Sequence, residues 1–167
     1  YPTKRIGLIH AMFRPSDDAT VYQFNIPGNF FAMLALLQLD EISSGEGVFI
    51  DGLSHDCEMI WKRLRDVLKE NAFINYPAAG RIMAYEINGF GSYNLMDDAN
   101  VPSLLSLGYL NKAVLKDKEY QNTRKFILSE NNPFFFKGKA AEGIGGPHVG
   151  MDYIWPLSII MQGLTST

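Results

Sequence analysis

Phe13-Arg14-Pro15-Ser16-Asp17-Asp18-Ala19-Thr20 is the stretch with the clearest capacity for chemistry: two adjacent carboxylates behind a guanidinium and a proline. Pro15 fixes its own φ and drives Arg14 out of the α region, so the approach is extended. Ser16 or Asp17 then suits the cap of a short turn, its side-chain oxygen taking orphan amides. Neighbouring turn residues point in different directions, so one Asp can cap or pair with Arg14 while the other faces a cavity. A carboxyl beside a second carboxyl and away from water favours its protonated form, which suits a general acid. Taken alone, the octamer is better read as a capping box with a surface ion pair.

A second Asp-Asp-Ala occurs at Asp97-Asp98-Ala99, followed by Asn100-Val101-Pro102. An Asp pair at a helix start is ordinarily explained by the helix dipole. Two such pairs, each expected before a helix, are harder to explain that way. If successive inner helices present the same ends to one face, both pairs line one pocket. His148 lies near the end of a glycine-rich run, Gly143-Ile144-Gly145-Gly146-Pro147-His148-Val149-Gly150, which lacks the Gly-Lys-Ser/Thr of a phosphate loop. His10 is the other histidine within reach of the first pair by sequence, although a half-buried packing role fits it better.

The elements expected to carry these residues are mostly helical. Asn25-Ile26-Pro27-Gly28-Asn29 opens a helix that runs to about Ile42, apolar on most sides as an inner helix would be. Ser43-Ser44-Gly45-Glu46-Gly47 ends it. A second helix spans about Gly52 to Asn71, with Leu53, Cys57, Ile60, Trp61, Leu64, Val67 and Leu68 on one stripe. Arg81 to Gly89 reads as a hairpin strand turning at Asn88-Gly89. Further helices are predicted from Pro102 to Leu110, over Lys118–Ser129 and over Ile154–Leu164, with Phe134–Gly138 a strand or loop. The reading is one mainly α unit over residues 1–167, part of a helical toroid with small β-hairpins in its loops.

Composition narrows the function class. A net charge of −3 argues against nucleic acid as the main partner. No apolar run reaches membrane-spanning length. The single Cys57 rules out an internal disulfide and an all-thiolate metal site.

Together, the Phe13–Thr20 octamer, Ile26–Ala32, Met96–Leu105, Asn122-Thr123-Arg124, Gly145–His148 and Ile154-Trp155-Pro156 resemble glycoside hydrolase family 125. The pieces keep their order and span nearly the whole chain. The resemblance implies an exo-acting, inverting α-1,6-mannosidase on an (α/α)6 barrel, requiring no metal or other cofactor and acting on α-mannoside glycans. It implies that the general acid is Asp17 or Asp18, with Asp18 favoured. Arg14, Ser16, Asn29, Asp97, Asp98, Asn100 and His148 would bind substrate, and Asn29 and Arg124 would alternatively brace loops. Gly28 and Gly108 depart mildly from the family pattern. The family's general base is a Glu in a His-Glu-Ser-type segment with no counterpart here, and Glu86, Glu119 and Glu142 do not sit in that motif. The implied state is an internal fragment with about five of the barrel's twelve helices, prone to self-association. A non-catalytic carbohydrate-binding remnant is the alternative. A Ca²⁺ site on Asp17, Asp18, Asp97 and Asp98 ranks last, since the loops lack regular ligand spacing.

Overall fold

The computed structural model of the chain describes residues 1–45, 50 and 52–166. Glu46 and Gly47 of the first predicted loop, and Thr167, lie outside the described residues. An extended N-terminal segment leads through a bridge between Phe13 and Ala19 to strand β1 (Phe24–Asn25) and helix α1 (Ile26–Ser43). The helix begins where its sequence says it should: Asn25 is extended, its Oδ1 accepts from the Gly28 amide at 2.8 Å, and Pro27 occupies the first turn. Helix α2 (Leu53–Asn71) packs on α1, burying Cys57, Leu64 and Leu68 from its apolar stripe. Cys57 is therefore packing, as its position predicts.

Strands β2 (Phe73–Tyr76) and β3 (Gly80–Met83) form an antiparallel hairpin. Then β4 (Glu86–Ile87) and β5 (Tyr93–Asn94) join β1 in a three-stranded antiparallel sheet with β4 central. The strand predicted over Arg81–Gly89 is thus two strands with different partners. The Asn88 turn is real, and Asn88 Oδ1 accepts the Phe90 and Ser92 amides. The single helical turn α3 (Leu107–Leu110) and helix α4 (Lys118–Ile127) follow. Strands β6 (Phe135–Lys137) and β7 (Glu142–Ile144) pair, and helix α5 (Pro156–Leu164) packs on β7.

The main core gathers Ile82, Tyr85, Leu104, Leu105, Tyr120, Ile127 and Ile144, all at or near zero exposure. A second core between α1, α2 and the central sheet holds Phe24, Ile26, Leu64, Leu68 and Ala84. The molecule is a mixed helix and sheet structure. The small β-hairpins expected beside the helices are present, and among the described residues they amount to three small sheets, more strand than a mainly helical unit carries. The helix predicted from Pro102 shrinks to α3: the Ser106 amide, which would bond back to Pro102 O in such a helix, donates to Ser103 Oγ at 3.1 Å instead. Helix α1 also differs from a fully packed inner helix, for Phe31, Leu39 and Ile42 are exposed.

Candidate active site

The first Asp pair does not cap a helix. Residues 11–23 fold back on themselves as a hairpin, with Ala11 N donating to Gln23 O, Thr20 N to Met12 O, and Arg14 N to Asp18 O at 2.8 Å. At the tip, Asp17 N donates to Arg14 O at 3.0 Å and Asp17 takes a left-handed φ of 65°. This is a three-residue turn: Pro15 presets the first corner, and an Asp tolerates the left-handed position. The turn separates the pair. Asp17 is exposed, while Asp18 is half-buried and faces inward.

Glu86 holds the hairpin. Its Oε1 accepts from Arg14 Nε at 2.6 Å and its Oε2 from Arg14 Nη2 at 3.1 Å. The Val21 amide, the Tyr22 amide and Asn94 Nδ2 also donate to Oε2, at 3.1, 3.4 and 3.1 Å. Both members of the pair are buried, and the Arg14 guanidinium lies 5.6 Å from the centre of the Tyr85 ring. Burial lowers and the Glu86 contact raises the guanidinium's proton affinity, and the net direction is upward. Arg14 is thus fixed as a cation with two of its donors already engaged.

Asp97 and Asp98 diverge in the same way. Both are fully buried. Asp97 turns into the protein, where Oδ1 accepts the Leu104 amide at 2.8 Å and Oδ2 the Leu105 amide at 2.9 Å. Asn132 completes this anchor by accepting the Asp97 amide at 3.1 Å. Burial pushes the Asp97 carboxyl up to about 8, against the two amides, which act in the opposite direction. Asp98 turns toward the hairpin. Its Oδ1 accepts from the Asn100 amide at 2.9 Å and from Asn100 Nδ2 at 2.8 Å. Ser16 Oγ stands between the two loops, 2.8 Å from Asp18 Oδ2 and 2.9 Å from Asp98 Oδ2.

The glycine-rich run closes over this cluster. A Cβ on Gly146 would stand 3.1–3.3 Å from the Asp98 carboxylate, and one on Gly145 would stand 2.0 Å from Tyr153 O. Glycine here permits close approach of backbone to carboxylate. The run continues into a 3-10 turn, Pro147–Val149, that sets His148 Nδ1 3.8 Å from Asp18 Oδ1.

Of the residues singled out by sequence, Ser16, Asp18, Asp98, Asn100 and His148 come together. Asp17 lies at the rim, and Arg14 and Asp97 anchor the two loops from behind. Asn29 binds Ile9 through both its oxygen and its nitrogen, at 2.8 and 3.0 Å, and also donates to Asn25 O, so it braces the segment before the hairpin. Arg124 donates to Gln162 O and Thr165 Oγ1, tying α4 to α5. His10 packs edge-on against Phe24. Sequence reasoning missed Glu86 and Asn132 as organisers of the site. A carboxylate in a strand of buried neighbours (Ala84, Tyr85, Ile87) is the signal that marks Glu86. Among the described residues, no group of three or more His, Cys, Asp or Glu side chains is arranged to hold a metal ion, and no helix is long and apolar enough to cross a membrane.

Chemically, the cluster offers a half-buried carboxyl at its mouth, a buried carboxyl behind it, and amide and imidazole groups able to hold vicinal hydroxyls. Comparison with known proteins gives the same direction. Residues 1–167 match the family described as metal-independent α-mannosidase, GH125. The meiotically up-regulated gene 157 protein of Schizosaccharomyces pombe is 44% identical over 162 residues, which are 96% of this chain and 31% of that protein. A metal-independent α-mannosidase of Streptococcus pneumoniae, solved as a non-productive complex with α-1,6-mannobiose, superposes with a TM-score of 0.94. It is 36% identical, and the match covers 99% of this chain and 39% of that one. The chain therefore spans about a third of the length of these relatives.

Proposed function

Since the chain belongs to glycoside hydrolase family 125, the metal-independent α-mannosidases, we propose that residues 1–167 are the acid-bearing part of an exo-acting, inverting α-1,6-mannosidase. The observation that carries this reading is the placement of Asp18: half-buried, backed by Ser16 and Asp98, with its second oxygen toward His148. Asp18 gives its proton to the glycosidic oxygen as the bond from that oxygen to the sugar's C1 breaks. A water on the opposite face attacks C1, activated by a carboxylate roughly 6.5–9.5 Å from the acid. The family resemblance implies that this base is a Glu in a segment outside residues 1–167, and Glu86, the buried glutamate near the site, is locked by Arg14. Asp98, Asn100 and His148 hold hydroxyls of the terminal mannose. The remaining segments complete an (α/α)6 barrel around the site.

The mannobiose bound in the S. pneumoniae relative supports the α-1,6-mannoside as substrate. A non-catalytic carbohydrate-binding role is the second reading. Hydrolysis of α-1,6-mannobiose by the full-length polypeptide separates the two. Asp18→Asn is expected to lower turnover by about 10²–10⁴-fold, the range of a lost general acid, and Asp17→Asn by less than about tenfold. EDTA is expected to leave the rate unchanged. An Asp18→Asn protein that still cleaves mannobiose at the wild-type rate sinks the acid assignment, and loss of activity in EDTA revives a calcium site.

A further inference from the structure

Ser16 holds one hydroxyl hydrogen and stands within hydrogen-bond distance of two carboxylates, Asp18 Oδ2 at 2.8 Å and Asp98 Oδ2 at 2.9 Å. A hydroxyl donates once, and an ionised carboxylate only accepts. The hydroxyl therefore serves one of the two at a time. Asp98 is secured either way, because its other oxygen keeps two N–H bonds from Asn100. Asp18 has no such reserve. Among the described residues its carboxyl takes a hydrogen bond from Ser16, and the nearest cation former is His148 Nδ1 at 3.8 Å. The titratable and charged neighbours of this trio are His148 on the glycine-rich run, Asp17 on the hairpin turn, and the Arg14–Glu86 pair and Asp97 behind.

We propose that Ser16 is a positioning residue for the acid, its hydroxyl donating to Asp98 while Asp18 is protonated and turning to Asp18 as Asp18 becomes a carboxylate. This rests on the reading of Asp18 as general acid. In the step itself, the Asp18 proton passes to the glycosidic oxygen, and the electron pair of the C1–O bond leaves with that oxygen. Ser16 keeps its own proton and only rotates. The hydrogen bond gained by Asp18 exists only once proton transfer is under way, so it lowers the barrier and not merely the energy of the bound substrate. Ser16 thus acts through Asp18 rather than on a sugar hydroxyl.

The test uses two substrates in the full-length polypeptide: α-1,6-mannobiose, whose leaving alcohol needs a proton, and 2,4-dinitrophenyl α-mannoside, whose leaving phenolate does not. Ser16→Ala is expected to lower kcat on mannobiose by about 10- to 100-fold, as one charge-assisted hydrogen bond is worth. Its loss on the aryl mannoside is expected to be at least about tenfold smaller, and Ser16→Thr, which keeps the hydroxyl, is expected to recover most of the mannobiose rate. Equal losses on both substrates, or no loss on mannobiose, overturn the proposal. If Ser16→Ala does not fold, Ser16→Cys, close in shape but a weak donor, is read by the same two-substrate ratio. Asp18→Asn is run alongside: full activity on mannobiose there defeats the acid reading itself, whereas a defective Asp18→Asn with an unselective Ser16→Ala defeats only the role of Ser16.

Discussion

Asp97 and Asp98 share a peptide bond and have opposite surroundings. One is consumed by the Leu104 and Leu105 amides, and the other looks toward Ser16 and Asp18. The family resemblance implies both as sugar ligands. Direction is decided by where the following turn carries its amides. Asp97 makes a pH prediction. Its carboxyl titrates near 3.8 when unperturbed and at about 8 in the fold, so between those values the folded state holds the extra proton. The stability it contributes is fully present below about pH 4 and is lost as pH rises toward 8. Urea unfolding is expected to show an unfolding free energy that declines between pH 5 and 8 by up to about 1.4 kcal/mol per pH unit. Asp97→Asn is expected to flatten that decline, and an unchanged slope in the variant assigns the effect elsewhere.

The element that matters most is the 11–23 hairpin, and it is pinned at a distance. Helices α1 and α2 are readable from periodicity and capping because both signals are local. The hairpin is not, since what pins it is the Arg14–Glu86 pair, 72 residues apart in the chain. Glu86→Gln tests this dependence. It leaves a buried guanidinium without its counter-charge, and the expected cost is about 3–5 kcal/mol, measured by urea unfolding. A cost under about 1 kcal/mol would mean that the hairpin holds without the pair. The predicted Pro102 helix fails at the same scale, because the Ser106 amide bonds to the Ser103 hydroxyl instead of to Pro102 O.

At the scale of the molecule, apolar residues lie open on three helices: Phe31, Leu39 and Ile42 on α1, Met59 and Ile60 on α2, and Leu157, Ile159, Ile160 and Leu164 on α5. Monomeric soluble domains rarely expose such faces, and this chain covers 31% and 39% of the relatives it matches. Residues 1–167 alone are accordingly expected to self-associate. Sedimentation velocity at micromolar concentration checks this, and a compact monomer throughout the range contradicts it.

What the sequence determined by itself was local or compositional. The start of α1 follows from Asn25 and Pro27, the α2 stripe from its three-and-four spacing, and the inertness of Cys57 from its place on that stripe. The ordered motifs also sufficed to mark the family. The tertiary structure alone decided which carboxylate of each pair is available. Ser16 meets Asp98 across 82 residues of chain, and Arg14 meets Glu86 across 72. Such contacts depend on how a hairpin, a turn and a glycine run pack together. Adjacent residues carry no local signal for which of them will face inward, because that choice belongs to the backbone's path through the fold.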